Sequence, residues 1–153
     1  MTERYFEDFA VGQTFTSAKP LRVDKDDIFD FAGKYDPQPI HLDEEAARRS
    51  IFQGLSASGW HTAAMTMRLI IESDFKVAGG SIGLGFDTLR WPVPVRPGDE
   101  LRIESEILEL RPSKSRPDRG LMKARTRTLN QNGEIVQELT ASVMVPRRPN
   151  PSP

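Results

Sequence analysis

The chain has 153 residues, 37% hydrophobic and 28% charged, with a formal net charge of −1. That length suits a single domain with its own core, and the charge balance favours neither nucleic acid nor an anionic membrane as main partner. There is no cysteine, and His41 and His61 are the two histidines. This excludes thiol chemistry and disulfides, leaves too few ligands for a histidine-rich zinc site, and fits a reducing, cytoplasmic setting. No metal is expected. Met1–Asp8 is polar and offers no apolar run for a signal peptide, and no stretch is apolar for long enough to span a bilayer.

A turn-like arm at Phe9–Gln13 leads into extended structure at Thr14–Ser17, which Leu21–Val23 prolongs beyond Pro20. Asp24 is placed to cap a helix, with Asp26 and Asp27 in the first turn, where the dipole favours acids. Ile28, Phe31 and Ala32 share one face, and Gly33 is expected to stop the helix. Tyr35-Asp36-Pro37-Gln38-Pro39-Ile40-His41-Leu42-Asp43 follows. Each proline lacks an N–H and biases its predecessor toward extended backbone, so Asp36 and Gln38 are expected extended and the segment stiff and non-helical. A stiff loop carrying a carboxylate and an imidazole suits proton transfer. Its local composition equally describes a proline-rich connector with a solvated histidine.

Asp43 is placed to cap a second short helix, with Glu44 and Glu45 at its start and Arg48 and Arg49 near its end. Small residues from Gly54 to Gly59 break the pattern. Trp60 to Ser73 is the longest helical stretch. Trp60, Ala63, Ala64, Met67, Ile70 and Ile71 make an apolar surface that Met65 and Leu69 widen, so burial is expected all round, with Trp60 and the methionines in the core.

After Gly79-Gly80 the period changes. Ile82, Leu84 and Phe86 alternate along a strand reaching Trp91, and Pro92, Pro94 and Pro97-Gly98-Asp99 impose turns. Leu101–Leu110 is a strand whose alternation lapses past Ser105, which predicts a bulge. Arg111–Gly120 is a basic connector. Leu121–Leu129 and Ile135–Val145 form a hairpin across Gln131-Asn132-Gly133. In its second strand Ile135, Leu139, Ala141, Val143 and Val145 face one way, and Val136, Glu138, Thr140, Ser142 and Met144 the other. Residues 147–153 are expected to fray. The pattern is α+β: residues 1–153 form one domain, a curved antiparallel sheet on one long buried helix. A second copy is expected to close the open edge or face, giving a homodimer or larger homo-oligomer.

Asp36-Pro37-Gln38-Pro39-Ile40-His41-Leu42-Asp43 resembles the D-x-N-P-x-H-x-D signature of the MaoC-like dehydratases and R-specific enoyl-CoA hydratases. The resemblance continues through Gly59, Gly80-Ser81-Ile82 and Val95-Arg96-Pro97-Gly98-Asp99, from about Phe6 to Val145. It implies the hot-dog fold, a sheet wrapped around a central helix. It also implies a hydro-lyase that adds water across C2–C3 of a trans-2-enoyl-CoA, with no cofactor beyond the CoA of the substrate. Asp36 and His41 fall on the family's catalytic pair. Gln38 stands where the family usually has Asn, and Ser58 where hydratases read the His of His-Gly-Met, with Gly59 kept. His61 is displaced from that missing His and is expected to be an ordinary helix histidine.

In this reading His41 and Asp36 share the proton transfers, in an order the residues do not fix. Backbone N–H groups at Gly59 and Trp60 face the enolate-like oxygen, and Gln38 and Ser58 join the substrate-binding set. Arg90, Lys114 and Arg116, with Arg96 and Arg111 as further basic residues, are expected near the CoA phosphates; each reads equally as a solvated charge. Two alternatives share the fold. One is an acyl-CoA thioesterase, whose carboxylate would be Glu72 or Asp74; the other is a non-catalytic acyl-CoA-binding subunit.

Overall fold

A computed structural model describes residues 3–149. A short 3-10 turn at Phe6–Asp8 precedes β1 (Thr14–Thr16), β2 (Leu21–Arg22), α1 (Lys25–Tyr35), α2 (Pro39–Leu42), α3 (Glu44–Arg48) and α4 (Gly59–Glu72). Four longer strands follow: β3 (Ile82–Arg90), β4 (Glu100–Pro112), β5 (Arg119–Leu129) and β6 (Ile135–Pro146). They pair antiparallel in the order β1-β4-β5-β6-β3, with β2 on the other end of β4. The sheet wraps α4, the hot-dog arrangement, and β3 is left as an edge strand.

Local chemistry accounts for most boundaries. Asp43 caps α3, its Oδ1 accepting from the N–H of Glu45 at 2.9 Å and of Ala46 at 3.3 Å. In the β5–β6 hairpin, Asn130 Oδ1 accepts from the N–H groups of Asn132 and Glu134, both at 3.0 Å, and Gly133 takes φ +77°. The β4 bulge falls between Ile107 and Glu109, just past Ser105 as expected. One core cluster joins α1, α3 and α4 to the sheet through Ile28, Leu69, Leu101, Ile103 and Val136. Burying each such aliphatic side chain is worth roughly 1.5–3 kcal/mol. A second cluster, Phe9, Phe15, Ile107, Met122 and Val145, closes the far end.

Five expectations are corrected. Gly33 does not stop α1, because a glycine inside a helix costs only about 1 kcal/mol. The helix runs to Tyr35, and Pro37 ends it: Asp36 leaves the helical region (φ −150°, ψ 66°), although its N–H still donates to Ala32 O at 2.9 Å. Secondly, the segment is not wholly non-helical. Gln38 is extended (φ −98°, ψ 146°), but Pro39 then opens the one-turn helix α2, since a proline is tolerated at the first helical position.

Thirdly, α4 is buried on one side only. His61, Thr62, Met65, Thr66 and Leu69 face inward, whereas Trp60, Met67 and Ile71 are 54%, 53% and 53% exposed. The inward threonines are satisfied, Thr66 by a 2.6 Å hydroxyl pair with Thr128. Fourthly, two register shifts interrupt the regular alternation expected of Ile82, Leu84 and Phe86, which are all exposed. Finally, one extra residue in β6 shifts its pairing between Thr128↔Gln137 and Leu129↔Ile135, which carries Val136 into the core. In the expected tail, Arg147 and Arg148 bond Glu7, at 2.9 and 2.7 Å; residues 1–2 and 150–153 lie outside the described residues. No helix among the described residues is long and apolar enough to cross a membrane.

Candidate functional site

The end of α1, the α2 turn and the start of α4 bring Asp36, His41 and Ser58 together. His41 is 6% exposed, and its Nδ1 lies 2.7 Å from the Ser56 carbonyl oxygen. A carbonyl only accepts, so Nδ1 carries a proton, and the lone pair of the neutral tautomer is the one on Nε2. That nitrogen is 3.4 Å from Asp36 Oδ2. Asp36 is itself held by two donors: Ser58 Oγ donates to Oδ2 at 2.6 Å, and Gln38 Nε2 donates to Oδ1 at 2.5 Å. The Ser58 bond chiefly holds the Asp36 carboxyl below its ordinary range; Gln38 and His41 add to this against the opposing effect of burial. Asp36 is therefore ionised at neutral pH and acts as an acceptor, facing His41 Nε2.

Gly59 opens α4. A Cβ there would stand 2.6–2.7 Å from the indole of Trp91, so only glycine lets that ring lie against the helix start. The N–H groups of Gly59 and Trp60 have no acceptor among the described residues, as first-turn N–H groups of a helix usually lack one. A cleft of about 270 Å³ opens here, lined by Ile40, His41, Ser56, Gly59, Thr62 and Trp91, with the Pro92–Val95 turn along one side.

Asp36, His41 and Gly59 are thus brought together as expected. Gln38 and Ser58 are beside them and hold the Asp36 carboxylate; of the five, His41 and Gly59 line the cleft, and Asp36, Gln38 and Ser58 stand behind it. The Trp60 side chain points outward and meets Trp91 edge-on, ring centroids 5.4 Å apart. Arg90 is exposed at the cleft end of β3, opposite Glu138. Lys114 and Arg116 are not at the site within one protomer. Their turn caps the end where Gly120 pairs with Val145, whereas Thr128 pairs with Gln137 at the cleft end. Eight residues of β5 separate the two, about 26 Å.

Three residues, Ser56, Trp91 and Gln137, escaped the sequence reading, and a fourth, Arg96, expected near CoA phosphates, is instead tied to loop carbonyls. Ser56 orients His41 through its carbonyl. Arg96 donates to the carbonyls of Phe52, Gly54 (2.9 Å) and Leu55 (3.2 Å), pinning the loop that delivers Ser56. Trp91 covers Gly59 and donates through Nε1 to Gln137 Oε1 at 2.8 Å. Gln137 is fully buried, and it had a signal: a polar residue in phase with Leu139, Ala141 and Val143. Ser56 and Arg96 had none, since their roles depend on long-range contacts. His61 is an ordinary buried histidine, stacked on Phe31 at 4.8 Å; burial pushes its pKa down, with Asp27 opposing.

The family model for the MaoC like domain matches residues 7–129. A MaoC-like dehydratase structure from Rhodospirillum rubrum superposes with a TM-score of 0.90 at 56% identity, covering 96% of this chain and 99% of that one. The chain is 37% identical to the uncharacterised protein YdeM of Bacillus subtilis, over 92% of its own length and 98% of that protein's. It is 30% identical to the 3-hydroxybutyryl-CoA dehydratase of Methylorubrum extorquens, over 97% and 88% respectively. Its extended match to the family model, together with these relatives, makes this chain a member of the MaoC-like domain family.

Proposed function

We propose that this protein is a hydro-lyase that adds water to trans-2-enoyl-CoA thioesters, and removes it in the reverse direction. The observation that carries this reading is the Asp36–His41 pair: an ionised carboxylate 3.4 Å from the Nε2 of His41, whose ring lines a cleft that also meets the start of α4. His41 Nε2 takes a proton as the water oxygen bonds to C3. The C2=C3 π pair moves to give an enolate, whose oxygen meets the N–H groups of Gly59 and Trp60. The imidazolium, steadied by Asp36, returns a proton to C2. The M. extorquens relative, by its name, dehydrates a short 3-hydroxyacyl-CoA, and a cleft of about 270 Å³ suits a short acyl group. The thioesterase alternative has neither carboxylate at the cleft: Glu72 pairs with Arg68, 13 residues and about 20 Å along α4 from Gly59, and Asp74 is exposed beyond the end of that helix. Incubation with trans-2-butenoyl-CoA is expected to deplete the enoyl absorbance without releasing free thiol. Thiol release would mean a thioesterase, and tight binding with neither signal a non-catalytic subunit.

The working form is a homodimer in this proposal. Trp60 touches Trp91 at one end of β3, and Met67 shares a small apolar pocket with Ser81 at the other, so α4 runs alongside the free edge. Together the two elements expose Trp60, Met67, Ile71, Ile82, Leu84 and Phe86. A free strand edge next to an apolar stripe is completed by an identical, antiparallel copy. Such pairing brings the 113–118 turn of one copy to the cleft end of the other, where Lys114 and Arg116 join Arg90 in reach of CoA phosphates. Light scattering should give about twice the 17.2 kDa of one chain, and Phe86→Lys should return it to monomer; a monomeric parent protein at tens of micromolar would end this arrangement. A cysteine-free chain fits work in the reducing cytoplasm.

A further inference from the structure

Two polar groups beside the cleft are buried with nothing to bond. Ser56 is 2% exposed and lines the cleft, and its hydroxyl has no partner among the described residues. Gln137 is fully buried, with its Oε1 on the Trp91 indole N–H. An indole N–H only donates, so the amide oxygen must face it, and chemistry fixes which way the amide points. The two N–H donors of Nε2 are left without an acceptor. Burial of such donors carries a desolvation penalty that no group among the described residues offsets. Ser56 lines the cleft beside His41; Gln137 does not line it but stands directly behind two residues that do, its sequence neighbour Val136 and its partner Trp91. Gln137 shares a face of β6 with Leu139 by ordinary alternation, and the extra residue, Val136, lies immediately before it.

We propose that the cleft reads an uncharged oxygen, as hydroxyl, ether or ketone, on the acyl chain of its thioester ligand beyond C3, with Ser56 Oγ and Gln137 Nε2 as the donors. A second carboxylate on the chain is disfavoured, because no lysine or arginine lines the cleft to pair with it. The rest of the lining is largely apolar and supplies bulk contact without polar selection. This rests on the proposed function only in taking an acyl thioester as the ligand.

Calorimetry on the intact protein with saturated, unreactive thioesters tests it. Hexanoyl-CoA is compared with 4-methoxybutanoyl-CoA, which has an oxygen in place of one methylene, and pentanoyl-CoA with 4-oxopentanoyl-CoA. The oxygenated member of at least one pair should bind about tenfold tighter or more, the equivalent of one net hydrogen bond. Ser56→Ala and Gln137→Met should each collapse that ratio. Gln137→Glu keeps an acceptor for Trp91 while losing the amide donors, and should collapse it too. Ser56→Ala should leave Tm unchanged or higher, since its hydroxyl makes no bond in the free protein. Equal affinities in the unmutated protein, a ratio that survives all three changes, or a lower Tm in Ser56→Ala would each overturn the inference. Because the readout is binding, a preference without hydration counts only against the proposed activity, and hydration without preference only against this inference.

Discussion

His41→Ala and Asp36→Asn should each lower enoyl-CoA hydration by about 10²–10⁴-fold, the range for a positioned proton-transfer group, while the protein stays folded. The two losses have different causes. His41→Ala removes the lone pair that receives the proton, and also leaves the Ser56 carbonyl without its 2.7 Å donor; the latter costs about 1–3 kcal/mol of stability. Asp36→Asn keeps the shape but removes the negative charge beside the imidazolium. The Ser58 hydroxyl can rotate to accept from the new amide, so folding should survive. Ser58→Ala is the graded companion: it deletes the chief donor to Asp36 and should raise that carboxyl toward the ordinary range. The sign of the pH effect follows from the depressed value. Stability from the held carboxylate is fully present above the ordinary carboxylate range, about pH 3.9, and is lost as pH falls through the lowered value. Ser58→Ala should forfeit part of it at neutral pH and show a shallower acid loss. Carboxyl carbon NMR of Asp36 against pH, with circular dichroism on the same samples, checks both. Full hydration activity in both Asp36→Asn and His41→Ala would remove the pair from the mechanism.

Gly59→Ala is expected to destabilise the protein by about 1–3 kcal/mol through overpacking, roughly 2–12 °C in Tm for a chain of this size. The added methyl would meet the Trp91 ring at 2.6–2.7 Å. That ring cannot simply swing aside, because its N–H is tied to fully buried Gln137. The helix start must shift instead, which re-aims the N–H groups of Gly59 and Trp60 and lowers kcat along with stability. A double-mutant cycle isolates the cause. In a Trp91→Ala background the methyl has room, so Gly59→Ala should cost markedly less there. Additive costs would mean that the ring is not what forbids a side chain at position 59.

What could be read from the residues was whatever local geometry decides. Asp43 caps because a carboxylate before a helix start meets free N–H groups, and Asn132-Gly133 turns because glycine supplies the positive φ. Asp36 and His41 meet because a helix end and one proline-initiated turn lie five residues apart. What stayed hidden depends on the fold as a whole. Trp60 and Met67 look like core by hydropathy, but which side of a helix the sheet covers is not written in the helix. Lys114 and Arg116 form a basic turn whatever end of a sheet they cap. Ser56 serves through its carbonyl, which every residue type has. Gln137 was the readable exception, a polar residue holding an apolar phase, passed over because the neighbouring alternation was clean.

The hydroxyl pair between Thr66 and Thr128 bears on how α4 is held. Aliphatic surfaces slide over one another at small penalty, because dispersion has little directionality. Two hydroxyls locked at 2.6 Å in a dry interior have one good geometry and lose it on a small axial slip. They act as a detent, fixing the long helix in register over the strands two turns past its start. The amide hydrogens of that first turn therefore stay aimed at one point, however the outer, uncovered side of the helix is dressed.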